Sequence, residues 1–202
     1  MSLIYDDKMS SQNSVSQKKN QRIRDKVANT NFDYIFNKKT LERNICINLS
    51  KIKANQFNKN INNTLEKILN ENISGICIEE GYVKPNSCKI LLRSEGNIDI
   101  SNFKSTIYYT IKYEALICNP VEGDKIKCYV SDVNKTNIRG YVVSEDESPL
   151  NIFLPKQHNS GNDEYINIKE GDLIEIMIMN KKYEYLDREI LVIGKFISIQ
   201  DN

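Results

Sequence analysis

The side chains best suited to covalent or metal chemistry in this 202-residue sequence are five cysteines and a single histidine. A zinc ribbon or a redox dithiol needs cysteines with two residues between them. Cys46, Cys77, Cys88, Cys118 and Cys128 contain no such pair. Cys46, Cys77, Cys118 and Cys128 lie inside apolar, strand-like runs, where a thiol is expected as a small buried side chain. An odd number of cysteines behind a polar N-terminus with no secretory leader fits a reducing, intracellular compartment. His158 sits in the polar stretch Pro155–Gly161. No Gly-x-Ser-x-Gly elbow accompanies it, and neither a phosphate loop nor a His-Glu-x-x-His zinc helix occurs. Glu145, Asp146 and Glu147 would attract a hard cation, but they lack the spacing of a calcium loop and read as a solvated turn. No catalytic group, metal or cofactor is expected, which leaves an independent hydrolase or nuclease without support.

Chemistry of that kind being absent, the elements must position a binding surface. Formal charge is nearly balanced, with 28 Lys+Arg against 27 Asp+Glu, but the balance is an average. Residues 1–119 carry 18 Lys+Arg and 12 Asp+Glu, whereas residues 120–202 carry 10 and 15. The two parts therefore differ by sign, +6 against −5, as two modules with unlike surfaces would. No run of apolar residues is long enough to span a membrane. Residues 1–39 read as a disordered basic arm, because a polar, low-complexity stretch with Lys18, Lys19, Arg22 and Arg24 buries too little to offset its ordering entropy.

Residues 40–119 alternate or repeat in recognisable periods. Ile45, Ile47 and Leu49 share one face of a strand. Phe57, Ile61, Leu65, Ile68 and Leu69 recur at helical spacing, predicting a helix over residues 55–71. Ile73–Ile78 reads as a strand, Glu79-Glu80-Gly81 as a turn, and Cys88–Leu92 as a further strand after Pro85. Thr106–Ile117 is the strongest strand, with Ile107, Tyr109, Ile111, Tyr113, Ala115 and Ile117 on one face. Pro120 marks a boundary. Beyond it the chain is strand and turn, with Glu122-Gly123-Asp124-Lys125-Ile126 echoed by Glu170-Gly171-Asp172-Leu173-Ile174. Strands are expected at 125–133, 138–144, 150–154, 173–179 and 188–199, with a loop over 156–167. The fold class is thus α+β: a helix on an antiparallel sheet, then, over residues 120–202, an all-β, five-stranded, partly open barrel of the OB type.

Two stretches together resemble the stalk-forming seventh subunit of eukaryotic RNA polymerase II and its archaeal counterpart. Asn72–Val83, ending in Gly81-Tyr82-Val83, is similar to the family's segment after its helix. Ile111–Asp124, with Lys112-Tyr113-Glu114-Ala115 followed by Pro120 and Gly123, is similar to the family's junction between its tip domain and its barrel. The resemblance covers about residues 40–199, and the Asn/Ile/Lys bias with the added arm resembles copies carried by large DNA viruses of eukaryotes. It implies a non-catalytic subunit that docks near the base of the polymerase clamp through Glu79, Glu80, Gly81, Tyr82 and Val83. Its partners would be the largest polymerase subunits, the subunit at the clamp base, a second small stalk subunit, and nascent RNA bound weakly. It would act where viral transcription occurs, in the host cytoplasm and virion, with the nucleus as the alternative.

Candidate RNA contacts on the barrel are Tyr129, Arg139, Tyr141, Phe153, Lys156 and His158. Where the family places Gly-Phe at the second barrel strand, this chain has Asn137 and Ile138, so stacking at that position is lost. On the residues alone a free-standing OB-fold RNA-binding factor in translation or RNA decay stays open as the alternative.

Overall fold

A computed structural model describes residues 32–48, 61–99, 106–143 and 148–200. The arm residues Lys18, Lys19, Arg22 and Arg24, the expected first turns of the helix, and Glu145–Glu147 lie outside the described residues. After a short helical turn at Asp33–Ile35 the elements are β1 (Phe36–Asn48), α1 (Ile61–Ile73), β2 (Cys77–Ile78), β3 (Gly81–Val83), β4 (Lys89–Arg93), β5 (Asn97–Asp99) and β6 (Thr106–Cys118). There follow β7 (Lys125–Val133), β8 (Asn137–Tyr141), β9 (Leu150–Pro155), α2 (Lys156–Asn159), α3 (Asp163–Ile166), β10 (Leu173–Lys182) and β11 (Ile190–Ile199). They form two compact units: Ile35–Pro120 with Lys182–Ile190, and the described part of Met1–Tyr34 with Val121–Lys181 and Leu191–Asn202.

The first unit is organised by β6. Its β-branched and aromatic residues alternate, so Ile107, Tyr109, Ile111, Tyr113, Ala115 and Ile117 are buried while Tyr108, Thr110 and Lys112 face solvent. One edge pairs antiparallel with the whole of β1, from Phe36 opposite Cys118 to Asn48 opposite Thr106. The other edge takes β5, β4 and β3 in succession. β1 starts at Phe36, inside the stretch assigned by composition to the arm. Phe36–Lys39 are polar enough to mislead, but β6 offers them a ready ladder, and main-chain bonds do not depend on side-chain polarity.

α1 covers the buried face. Leu65, Leu69 and Ile73 follow at four-residue steps, and each is fully buried among Ile45, Ile47, Ile107 and Ile111. Each burial stabilises by about 1.5–3 kcal/mol. The expected strand at Ile73–Ile78 is therefore only Cys77–Ile78: Ile73 continues the helical stripe, and the helix claims it. Asn70, a poor helix former, is explained by what it holds. Its Nδ2 donates to the Cys88 carbonyl at 3.1 Å and to the Glu66 carbonyl at 2.9 Å, and its Oδ1 accepts from the Cys88 N–H at 3.3 Å. The Ile90 N–H donates to Glu66 Oε2 at 3.2 Å, so one helix face grips both β4 and the residue that leads into it.

In the second unit the strands close in the order β10-β11-β9-β8-β7, which in chain order is 1-2-3-5-4-1. This arrangement is consistent with an OB-type barrel. The expectation of a partly open barrel is corrected, because β7 and β10 pair over Lys125–Tyr129 and Leu173–Met177 and shut the seam. The twin Glu-Gly-Asp turns make that closure. Gly123 and Gly171 have φ of 91° and 88°, which glycine adopts without penalty. Gly123 N–H donates to the Ile178 carbonyl and the Ile178 N–H to the Asp124 carbonyl. In the mirror arrangement Gly171 N–H donates to the Val130 carbonyl and the Val130 N–H to the Asp172 carbonyl. In both turns the aspartate carboxylate accepts from the main chain three residues back, at 2.8 and 2.7 Å. The expected loop over 156–167 contains α2 and α3, anchored by the Tyr165 hydroxyl on the Leu154 carbonyl at 2.8 Å.

Replacing Asn70 by alanine leaves the Cys88 main-chain groups without their partner. The gain in helix propensity of about 0.7 kcal/mol does not offset this, and a net loss of about 1–2 kcal/mol is expected in urea denaturation.

Candidate functional site

In the first unit the implied docking residues form a braced turn. Glu79 and Glu80 lie between β2 and β3, whose pairing sets Cys77 opposite Tyr82 and Ile78 opposite Gly81. Gly81 has φ 126°, and a Cβ there would fall 2.5 Å from the Cys118 carbonyl oxygen, so only glycine lets the turn reach the end of β6. The turn's carbonyls are held from two sides: Asn119 Nδ2 donates to that of Glu80 at 2.8 Å, and the Tyr183 hydroxyl donates to that of Glu79 at 3.1 Å. The Glu79 side chain is exposed and that of Glu80 half-buried. Tyr82 is only 4% exposed and Val83 is fully buried, so these two are struts of the turn, and Tyr82 is no surface anchor.

In the second unit, four of the six RNA candidates share the outer face of β7–β9. Register sets Tyr129 opposite Tyr141 and Arg139 opposite Phe153. Yet Tyr129 and Tyr141 are 1% and 6% exposed. The Phe32 ring meets Tyr129 edge-on at 6.1 Å, and the Tyr129 ring lies tilted against that of Tyr141 at 6.2 Å. The neighbouring Tyr34 hydroxyl accepts from the Lys127 N–H at 3.0 Å. Phe32 thus packs on Tyr129 and Tyr129 on Tyr141, and both tyrosines, taken as surface candidates, are buried. Arg139 stays exposed, its guanidinium 5.9 Å from the Phe153 ring centroid and its Nε donating to Asn151 Oδ1 at 3.1 Å. Lys156 and His158 are exposed on α2, which follows β9 directly. Ile138 points into the barrel and is 2% exposed, so its place in the family pattern is a core position here.

Cys46 is exposed, against the expectation of burial: it stands opposite Tyr108 on the solvent face of β1 and β6. The other four cysteines are buried. Burial, reinforced by Asp187 and Glu189, pushes the Cys77 thiol up from 9.0 to about 12. Burial near Glu66 pushes Cys88 up to about 11. Tyr113 is raised to about 12, chiefly by desolvation. Among the described residues no group of three or more His, Cys, Asp or Glu could hold a metal ion. Nor is any helix long and apolar enough to cross a membrane.

No protein-family model matches the chain. A protein of Acanthamoeba polyphaga mimivirus, named as a "putative DNA-directed RNA polymerase subunit", is 30% identical over an alignment of 156 residues that covers 71% of this chain and 75% of that protein. The chain belongs to that family of viral DNA-directed RNA polymerase subunits. The residues of this polymerase subunit that sequence reasoning missed are those that brace or cover: Phe32, Tyr34, Asn119 and Tyr183. Only Phe32 and Tyr34 carried a signal, as isolated aromatics at the end of a polar stretch.

Under native conditions at pH 8 one thiol, Cys46, reacts rapidly with a thiol reagent, and four more appear only on unfolding. The raised groups keep their protons longer in the native state, so their stabilisation is complete below about pH 9 and is lost as pH climbs toward 12. The denaturation midpoint is expected to fall steadily above pH 9.

Proposed function

We propose that this chain is the non-catalytic stalk subunit of a viral RNA polymerase, docking through its first unit as a tip domain and contacting nascent RNA with its barrel. The observation that carries the reading is the pairing of family membership with an OB-type strand order whose outer face presents Arg139 against Phe153. Docking rests on the turn at Glu79 and Glu80. The main chain there is fixed by Asn119 and Tyr183, so its carboxylates are presented without further main-chain ordering cost. Their partner is a basic surface on the largest subunits or at the base of the clamp. A second small stalk subunit completes the assembly. The buried free thiols support a reducing site of action, the cytoplasmic place of viral transcription.

RNA contact is the weaker limb of the mechanism. Arg139 supplies a phosphate contact and Phe153 a stacking face, with Lys156 and His158 beyond them. The acidic surplus of residues 120–202 limits affinity, so release of transcript remains easy.

Reversal of both turn charges (Glu79→Lys with Glu80→Lys) is expected to lower incorporation into affinity-isolated polymerase at least tenfold with an unchanged melting temperature; full incorporation would remove the turn from the docking surface. Arg139→Ala should weaken single-stranded RNA binding and flatten the slope of log K against log salt by about 0.7, as measured by fluorescence anisotropy.

A further inference from the structure

The turn at Glu184–Asp187 repeats the two barrel turns bond for bond. Asp187 N–H donates to the Glu184 carbonyl at 3.2 Å, and Asp187 Oδ2 accepts from the Glu184 N–H at 2.6 Å. Its third residue donates to a strand carbonyl, Leu186 N–H to that of Cys77 at 2.9 Å, and the Cys77 N–H returns a bond to the Asp187 carbonyl at 2.6 Å. This is the pattern of Gly123–Asp124 on Ile178 and of Gly171–Asp172 on Val130. The third position has a positive φ in all three turns: 91° at Gly123, 88° at Gly171 and 75° at Leu186. Two of the turns use glycine there, as the geometry asks. The third keeps a leucine, in a conformation that L side chains avoid.

That leucine gains nothing from burial, since it is 56% exposed, and Tyr185 before it is 54% exposed. The pair is also held still. Arg43 donates to the Tyr185 hydroxyl at 3.1 Å, and Tyr183 ties the same turn to Glu79 at 3.1 Å. An apolar residue that is strained, exposed and rigidly presented is explained by what it touches outside the chain. The surroundings say what that is. Around the knob Glu79, Glu80, Glu184, Asp187 and Glu189 outnumber Arg43, Lys182 and Arg188, so it stands in an acidic surplus. A nucleic-acid backbone is repelled there, whereas an apolar groove with a basic rim is matched.

We infer that Tyr185 and Leu186 form a second, preformed docking knob that inserts into an apolar, basic-rimmed groove on another polymerase subunit. This rests on the stalk reading above and extends its docking surface beyond Glu79 and Glu80 to a turn about 100 residues later in the chain.

The test replaces Leu186 by glycine in the tagged full-length chain, expressed in infected cells beside the wild type. Glycine relieves the left-handed strain, so the melting temperature of the purified variant should rise or hold. Its recovery with the largest polymerase subunits should fall at least fivefold, and Tyr185→Ala should lower it further. Equal recovery of variant and wild type, with the wild type bound to polymerase, overturns the knob alone. A wild type that brings down no polymerase overturns the stalk reading and the knob with it. Self-association or RNA binding that is lost in Leu186→Gly, with polymerase recovery intact, also overturns the inference by giving the knob a different occupant.

Discussion

Every strand of the sheet except β2 is hydrogen-bonded to β6, and β2 reaches it through β3. That single 13-residue ladder is the constraint on which the first unit depends. Its buried face fixes where α1 packs, its far edge fixes β1, and its final residues Ile117 and Cys118 fix the strand that begins at Gly81. The close approach of Gly81 to the Cys118 carbonyl is how a core constraint becomes a surface feature, because it throws Glu79 and Glu80 outward. A substitution in the middle of β6 would therefore act on the Glu79–Glu80 turn without touching it.

The barrel reaches the same end by another device. Two turns of one type close it by reciprocal main-chain bonds across β7 and β10. With the seam shut, the inner positions fill with Ile126, Cys128, Ile152 and Ile176, and only the outer face is open to a ligand. There the aromatic residues divide. Tyr129 is packed between Phe32 and Tyr141 and both tyrosines are buried, which leaves Arg139 with Phe153 as the open pair. The acidic balance of this half suits the proposed role, in which protein contacts hold the subunit and RNA binds only in passing.

Much of this is legible in the residues. The alternation of Thr106–Ile117 and the helical stripe through Leu65 and Leu69 come through because each has one strong period and one buried face. Lys125–Val133 is legible to the residue. What escapes follows a physical rule: main-chain pairing is blind to composition. Phe36–Lys39 look like tail but pair with β6, and Asn97–Asp99 are too short to show a period. Ile73 looks like the start of a strand because β-branched residues suit either state, and only the packing of α1 decides. The third turn of the Glu-Gly-Asp type is invisible because it has no glycine; Leu186 takes the left-handed place against its preference. Burial of Tyr129, Tyr141 and Tyr82 is equally out of reach, since period-2 alternation assigns a face and does not say what covers it.

The central claim is that this chain is a resident subunit of a polymerase. The direct measurement is subunit stoichiometry, by quantitative mass spectrometry, in active RNA polymerase purified from the native source without tagging this chain. The account predicts one copy per largest subunit, held through a salt wash that strips RNA. Absence of the chain from the active polymerase fraction, with the protein abundant elsewhere in the same extract, would contradict it.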